Sequence, residues 1–139
     1  MRFLFLLLTS VLLFSNSIHA EKISHDKALE LAKAFMLKNV KNQAARNAVS
    51  NEMTILAEKT DGHYVFNFAH DNGFIIIAGD DIVPDPVLGY CDNGTFDKSL
   101  MPENMKWWLQ EYDRQILHMQ QHKEAYATKE EAGDENGNT

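Results

Sequence analysis

Cysteine is almost missing. Cys91 is the single thiol in 139 residues, so no intrachain disulfide can form and the fold must be held by burial. Basic residues are outnumbered: 13 Lys and Arg stand against 20 Asp and Glu, a formal charge of −7. That is the wrong sign for a protein that gains affinity by displacing counterions from phosphates, so a nucleic-acid partner is not expected. Glycine is sparse and dispersed. Gly73, Gly79, Gly89 and Gly94 each fall at the end of an extended segment, and none opens a helix as a phosphate-cradling loop would. Long apolar runs are lacking too, since the apolar stretch within residues 3–14 is shorter than the roughly 20 residues a membrane-spanning helix needs. With 45% hydrophobic and 24% charged residues, the chain can nonetheless build an ordinary packed core.

What is present begins with a leader. Arg2 precedes apolar residues 3–8 and 11–14, a polar Ser15-Asn16-Ser17 stretch follows, and Ala20 supplies a small residue for cleavage. This is the pattern of a secretory signal peptide over residues 1–20, although Ile18 is larger than usual at its position. No cysteine lies near residue 20 to carry a lipid anchor. The protein is therefore expected to be secreted or periplasmic, with no membrane association once the leader is removed. The remaining stretch, roughly 120 residues, suits one domain.

Periodicity then lays out the elements. Ser24 is placed to cap a helix whose Ala28, Leu31, Ala32 and Phe35 share a face widened by Leu29, Met36 and Val40. Residues 41–51 turn polar and Asn-rich and read as a frayed helix end and a loop. Met53, Ile55 and Ala57 alternate with Thr54, Leu56 and Glu58; after the Thr60-Asp61-Gly62 turn, Tyr64, Phe66 and Phe68 alternate with Val65 and Asn67. The turn His70-Asp71-Asn72-Gly73, with positive φ expected at Asn-Gly, leads into the apolar strand 74–78 and then, past Pro84 and Pro86, a short strand 87–91. Pro102 and Glu103 open a long helix with Trp108, Leu109, Tyr112, Ile116 and Met119 on one side. Residues 128–139 are acidic and aperiodic and are expected to be disordered. The fold class is α+β: an N-terminal helix, a four-stranded antiparallel meander and a C-terminal amphipathic helix, in a single domain over residues 21–127.

Catalytic chemistry is hard to assemble from this inventory. Cys91 is the one candidate nucleophile, but its neighbours Tyr90 and Asp92 offer no positive charge to stabilise a thiolate. His118 and His122 stand at metal-ligand spacing without a third ligand, and the intervening Met119-Gln120-Gln121 lacks a zinc-protease glutamate. His25, His63 and His70 are scattered and read as surface residues. Asp80, Asp81 and Asp85 lack calcium-loop spacing and read as an acidic turn. Trp107 and Trp108 could stack on a sugar, but Trp108 fits the core and Trp107 a partly buried position. No cofactor or metal is implied, and the residues alone point to a small exported domain that is not an enzyme.

Three stretches add more: residues 73–81 (GFIIIAGDD), residues 86–97 (PVLGYCDNGTFD), and Pro102-Glu103-Asn104 followed by Trp108-Leu109, Tyr112 and Gln115-Ile116. Together they resemble the propeptide of the streptopain family of secreted bacterial cysteine proteases, and the stand-alone inhibitors homologous to it. The resemblance implies an inhibitor acting in trans on a secreted streptopain-like cysteine protease, without a catalytic domain of its own. It further implies that an Asn just ahead of the last helix enters the active-site cleft and displaces the catalytic His. Asn104 is the matching position, with Leu100, Met101, Pro102, Met105 and Trp107 as flanking contacts. A helix N-cap is the other role open to Asn104. A folding assistant for a separately encoded protease and a small-ligand binding module remain as alternatives.

Overall fold

The computed structural model describes residues 21–50, 54–123 and 125. The expected leader and acidic tail lie outside the described residues. Four antiparallel strands, β1 (Thr54–Lys59), β2 (His63–Phe68), β3 (Phe74–Ala78) and β4 (Val87–Cys91), form one sheet in chain order. β2 and β3 are central, and their alternate side chains enter two separate cores. Tyr64, Phe66, Phe68, Ile75 and Ile77 face one side, whereas Val65 and Ile76 face the other. The meander expected from the period-two pattern is therefore present, with its two central strands buried on both faces and β1 largely exposed.

The first face is covered by α1 (His25–Asn39) and α2 (Gln43–Ser50). Ser24 caps α1 as expected, its side chain accepting from the Lys27 amide. The inward residues Ala28, Ala32 and Met36 are fully buried. The two alanines let the α1 backbone approach β2 and β3 closely. α2 corrects the expected loop over residues 41–51. Its start is capped by the Asn42 side chain, which accepts from the Ala44 amide, and Ala45, Ala48 and Val49 are buried in the same core. The Asn-rich composition concealed an apolar stripe only two turns long.

The second face is covered by α3 (Glu103–Gln121), which lays Leu109 over Val65 and Ile76 together with Met101 and Phe96. The backbone of Phe96 is held by Asn67, whose side chain donates to the Phe96 carbonyl at 2.9 Å and accepts its N–H at 2.8 Å. Residues 21–23 run beside residues 79–81, with the Ile23 amide donating to Gly79 and the Asp81 amide to Glu21, and the buried Tyr64 hydroxyl donating to the Ile23 carbonyl at 2.6 Å. In the turn after β2, positive φ falls on His70 and Asp71 (61° and 55°) and on Gly73, not on Asn72. Two successive left-handed residues match the twist of the flanking strands, and the Asn72 side chain closes the turn by donating to the Ala69 carbonyl.

Candidate functional site

The segment before α3 is built by local hydrogen bonds. Asp97 accepts from the Ser99 amide and hydroxyl, and these contacts hold its carboxyl below the usual range. A short 3-10 turn over Lys98–Leu100 follows, tied to β1 by Lys98 Nζ on Glu58 Oε1 at 2.8 Å. Pro102 then takes the N-cap position in an extended conformation (φ −59°, ψ 147°), a geometry that proline's ring favours. Its carbonyl accepts from the Met105 and Lys106 amides.

Asn104 is consequently not the N-cap. It lies in the first turn of α3, exposed, and its carboxamide makes no hydrogen bond among the described residues. Trp107, three positions on and on the same side of the helix, is 65% exposed, and Leu100 in the preceding turn is 80% exposed. Pro102 is exposed and Met105 half-buried against the second core. Met101 differs from the expectation that it would serve as a contact: it is buried in that core, where its side chain supports the fold. The exposed site is thus a carboxamide flanked by two large apolar side chains at the start of a helix.

Beside the apolar Met105, Trp108, Leu109 and Ile116, the inward side of α3 carries two polar residues, Asp113 and Gln120. Asp113 Oδ1 lies 2.6 Å from His63 Nδ1 and accepts from Thr60 Oγ1 at 3.0 Å. Gln120 Nε2 donates to Asp80 Oδ2 at 2.6 Å. His63 and Asp80 are both 1% exposed. His63 thereby departs from the surface position expected of it, and its Nε2 is buried without a partner. The signal that could have found this cluster is the run of three- and four-residue steps leading from Leu109 through Asp113 and Ile116 to Gln120.

The remaining candidates separate. Cys91 is half-buried and donates to Asn93 Oδ1 at 3.3 Å. His118 and His122 stack at 4.3 Å on the exposed end of α3, and no group of three metal-ligating side chains occurs among the described residues. Asp85 accepts from the Val87 amide within its own turn, and Asp81 accepts from the Glu21 amide of the segment that runs beside it. Trp108 packs edge-on to Tyr112 and lies over Gly89, while His25 and His70 are exposed. An open groove of about 490 Å3 runs between Ile23, Leu31 and Pro84, and its lining includes none of the residues around Asn104. Among the described residues no helix is long and apolar enough to cross a membrane.

Comparison with known proteins then decides the family. The model of the Spi protease inhibitor family matches residues 20–116, which takes in both cores and about the first three-quarters of α3. The chain belongs to the Spi protease inhibitor family. The chain is also similar to the thiol protease/hemagglutinin PrtT of Porphyromonas gingivalis, at 33% identity over 121 residues. The match takes in 84% of this chain but only 14% of that much longer protein. No solved structure matches significantly.

Proposed function

We propose that this protein is an exported inhibitor of streptopain-like cysteine proteases that seats the start of α3 in the target's active-site cleft. The single observation that carries the reading is the Asn104 carboxamide, exposed and unused within the fold between Leu100 and Trp107. A carboxamide offers two donors and one acceptor to the polar groups of a cleft. It presents no scissile bond to a thiolate, so it can fill the cleft without being cut.

Leu100 and Trp107 supply what an amide cannot. A specific interface needs about 800 Å2 per partner, and its energy concentrates in a few desolvated anchors among which Trp is enriched. Pro102 and Met105 extend the contact on either side of Asn104. Titration of the purified, leader-free protein into a mature streptopain-family protease tests the reading. The expected result is stoichiometric loss of turnover, weakened about tenfold or more by Asn104→Ala through the loss of hydrogen bonds to charged groups in the cleft. Undiminished turnover at large excess would refute it.

A second reading is favoured by one comparison, since the similar segment of the Porphyromonas thiol protease belongs to a far longer chain. The resemblance to streptopain-family propeptides supports a reading in which the present protein assists the folding of a separately encoded protease. Refolding a denatured protease of this class with and without the protein separates the two readings: an increased yield of active enzyme supports assistance, and an unchanged yield with intact inhibition supports the first reading alone.

A further inference from the structure

The proposed plug rides on α3, and two polar contacts on the inward stripe of that helix fix how it lies. Asp113 is held by His63 at 2.6 Å and by Thr60 at 3.0 Å, and Gln120 is held by Asp80 at 2.6 Å. His63 belongs to the sheet and Asp80 lies just beyond its third strand. His63 opens β2 opposite Ala78 of β3, and Asp80 follows β3 with its other oxygen accepting from the Ile82 amide. The two contacts are seven residues apart, about 10.5 Å along the helix axis, so α3 is held at two points.

Apolar packing alone would leave this helix freer. Leu109 and Ile116 resist separation from the sheet, but burial of apolar surface is non-directional and tolerates sliding and rotation. Short hydrogen bonds do not, because their strength falls steeply with distance and angle. Burying His63 with Nε2 unpartnered costs stability that an apolar pair would not cost, and what the polar pair adds is direction. Gly62 leaves room for the contact, since a Cβ there would fall 2.3 Å from Asp113 Oδ1 and 2.8 Å from its Cα. At about 100° per residue, Asn104 stands nine positions before Asp113 and so about 180° round the helix. Whatever holds Asp113 inward aims Asn104 outward.

We propose that the His63–Asp113 contact, with Gln120–Asp80 as its second point, sets the rotation and axial position of α3 and thereby aims Asn104 and Trp107 at the protease. His63 and Asp113 are positioning residues; His63 is buried and acts only through the helix. The inference rests on the reading of Asn104 as the plug.

A double-mutant cycle tests it. Inhibition constants against a mature streptopain-family protease are measured for the leader-free chain, Asp113→Ala, Asn104→Ala and the double variant, at a temperature where circular dichroism shows each fully folded. Asp113→Ala is expected to weaken inhibition about tenfold in the wild-type background and only about twofold when Asn104 is already alanine, because non-additivity marks residues that act through one another. Asp113→Asn, which keeps an oxygen to accept the Nδ1 proton of His63, is expected to restore inhibition nearly to wild type. An equal fold-change in both backgrounds, or no change at all, would show that the pair serves the fold alone and overturn the inference while leaving the plug standing. Unchanged inhibition by Asn104→Ala itself would instead remove the plug, and the positioning role with it. Should Asp113→Ala fail to fold, Gln120→Ala carries the same cycle at the second point, with the same criterion.

Discussion

Asn104 and Met101 stand three residues apart and test opposite ideas. Asn104 is exposed and makes no hydrogen bond among the described residues, so Asn104→Ala is expected to leave the unfolding midpoint within about 0.5 kcal/mol of wild type while weakening inhibition. Met101 is 8% exposed in the second core, and Met101→Ala is expected to destabilise by about 2 kcal/mol or more through the cavity it leaves. Chemical denaturation and inhibition assays on the two variants check both statements. If Asn104→Ala lost stability as well, its side chain would be part of the fold and not held in reserve. Glu111 gives a pH test at the same scale. Its hydrogen bonds from Arg114, and then from Gln115, lower its carboxyl from 4.5 to about 2. A depressed carboxyl stabilises the folded state above its unfolded value and loses that contribution as pH falls through the folded one. The contact is therefore expected to be intact above about pH 4.5 and lost towards pH 2. Following the Glu111 side-chain carboxyl by NMR through this range checks the midpoint, and the stability gap between wild type and Glu111→Gln should close as the pH falls. Both effects should be small and shrink in salt, because the pair lies at the surface.

The elements differ in how plainly their residues announced them. β3 is a run of Phe, Ile and Ala bounded by glycines, and β4 is set off by prolines, so period and punctuation agree and the strands fall where expected. α1 was legible for the same reason, from Ser24 and a stripe of three- and four-residue steps. α2 was not, because two turns hold too few apolar positions to outweigh the asparagines around them, and the helix owes its place to Ala45, Ala48 and Val49 packing on α1 and the sheet. The inner face of α3 was legible only in part. Leu109 and Ile116 are apolar and obey the pattern, whereas Asp113 and Gln120 look like solvent residues until the sheet supplies His63 and Asp80 as partners. Asn104 and its exposed neighbours were readable as a motif, but only coordinates could turn Met101 inward and give the cap to Pro102. The close approach of α3 to the turn before β2 yields an element-scale prediction. Gly62→Ala places a methyl against Asp113, including its backbone, and is expected to lift α3 from the sheet at a cost of about 1–3 kcal/mol. Gly94→Ala, where φ is +77° and nothing lies within 4 Å, should cost only about 1 kcal/mol of backbone strain and leave α3 in place. Thermal midpoints and the fluorescence of the α3 tryptophans distinguish the two.

At the scale of the whole molecule, the two cores share one sheet. Val65 and Ile76 alternate along β2 and β3 with Tyr64, Phe66, Ile75 and Ile77, so neither core can lose its strands without exposing the other. Such an arrangement should unfold in one step, as small single domains usually do. The molecule carries its own reporters for this. Both tryptophans lie on α3 and Trp108 packs against the second core, so its fluorescence follows that core, whereas far-ultraviolet circular dichroism follows α1, α2, α3 and the sheet. Urea titrations read by the two signals are expected to coincide, with a slope of about 1 kcal/mol per molar for a domain of this size. Val65→Ala in one core and Ile77→Val in the other should each move both signals together, by about 1–2 kcal/mol for the loss of buried methyl groups. A fluorescence transition that precedes the circular dichroism transition would mean that α3 peels away while the rest stays folded. Its polar anchors would then be too weak to fix the helix, and an inhibitor that must present a rigid helix to a protease cleft would have a hinge where it needs a strut.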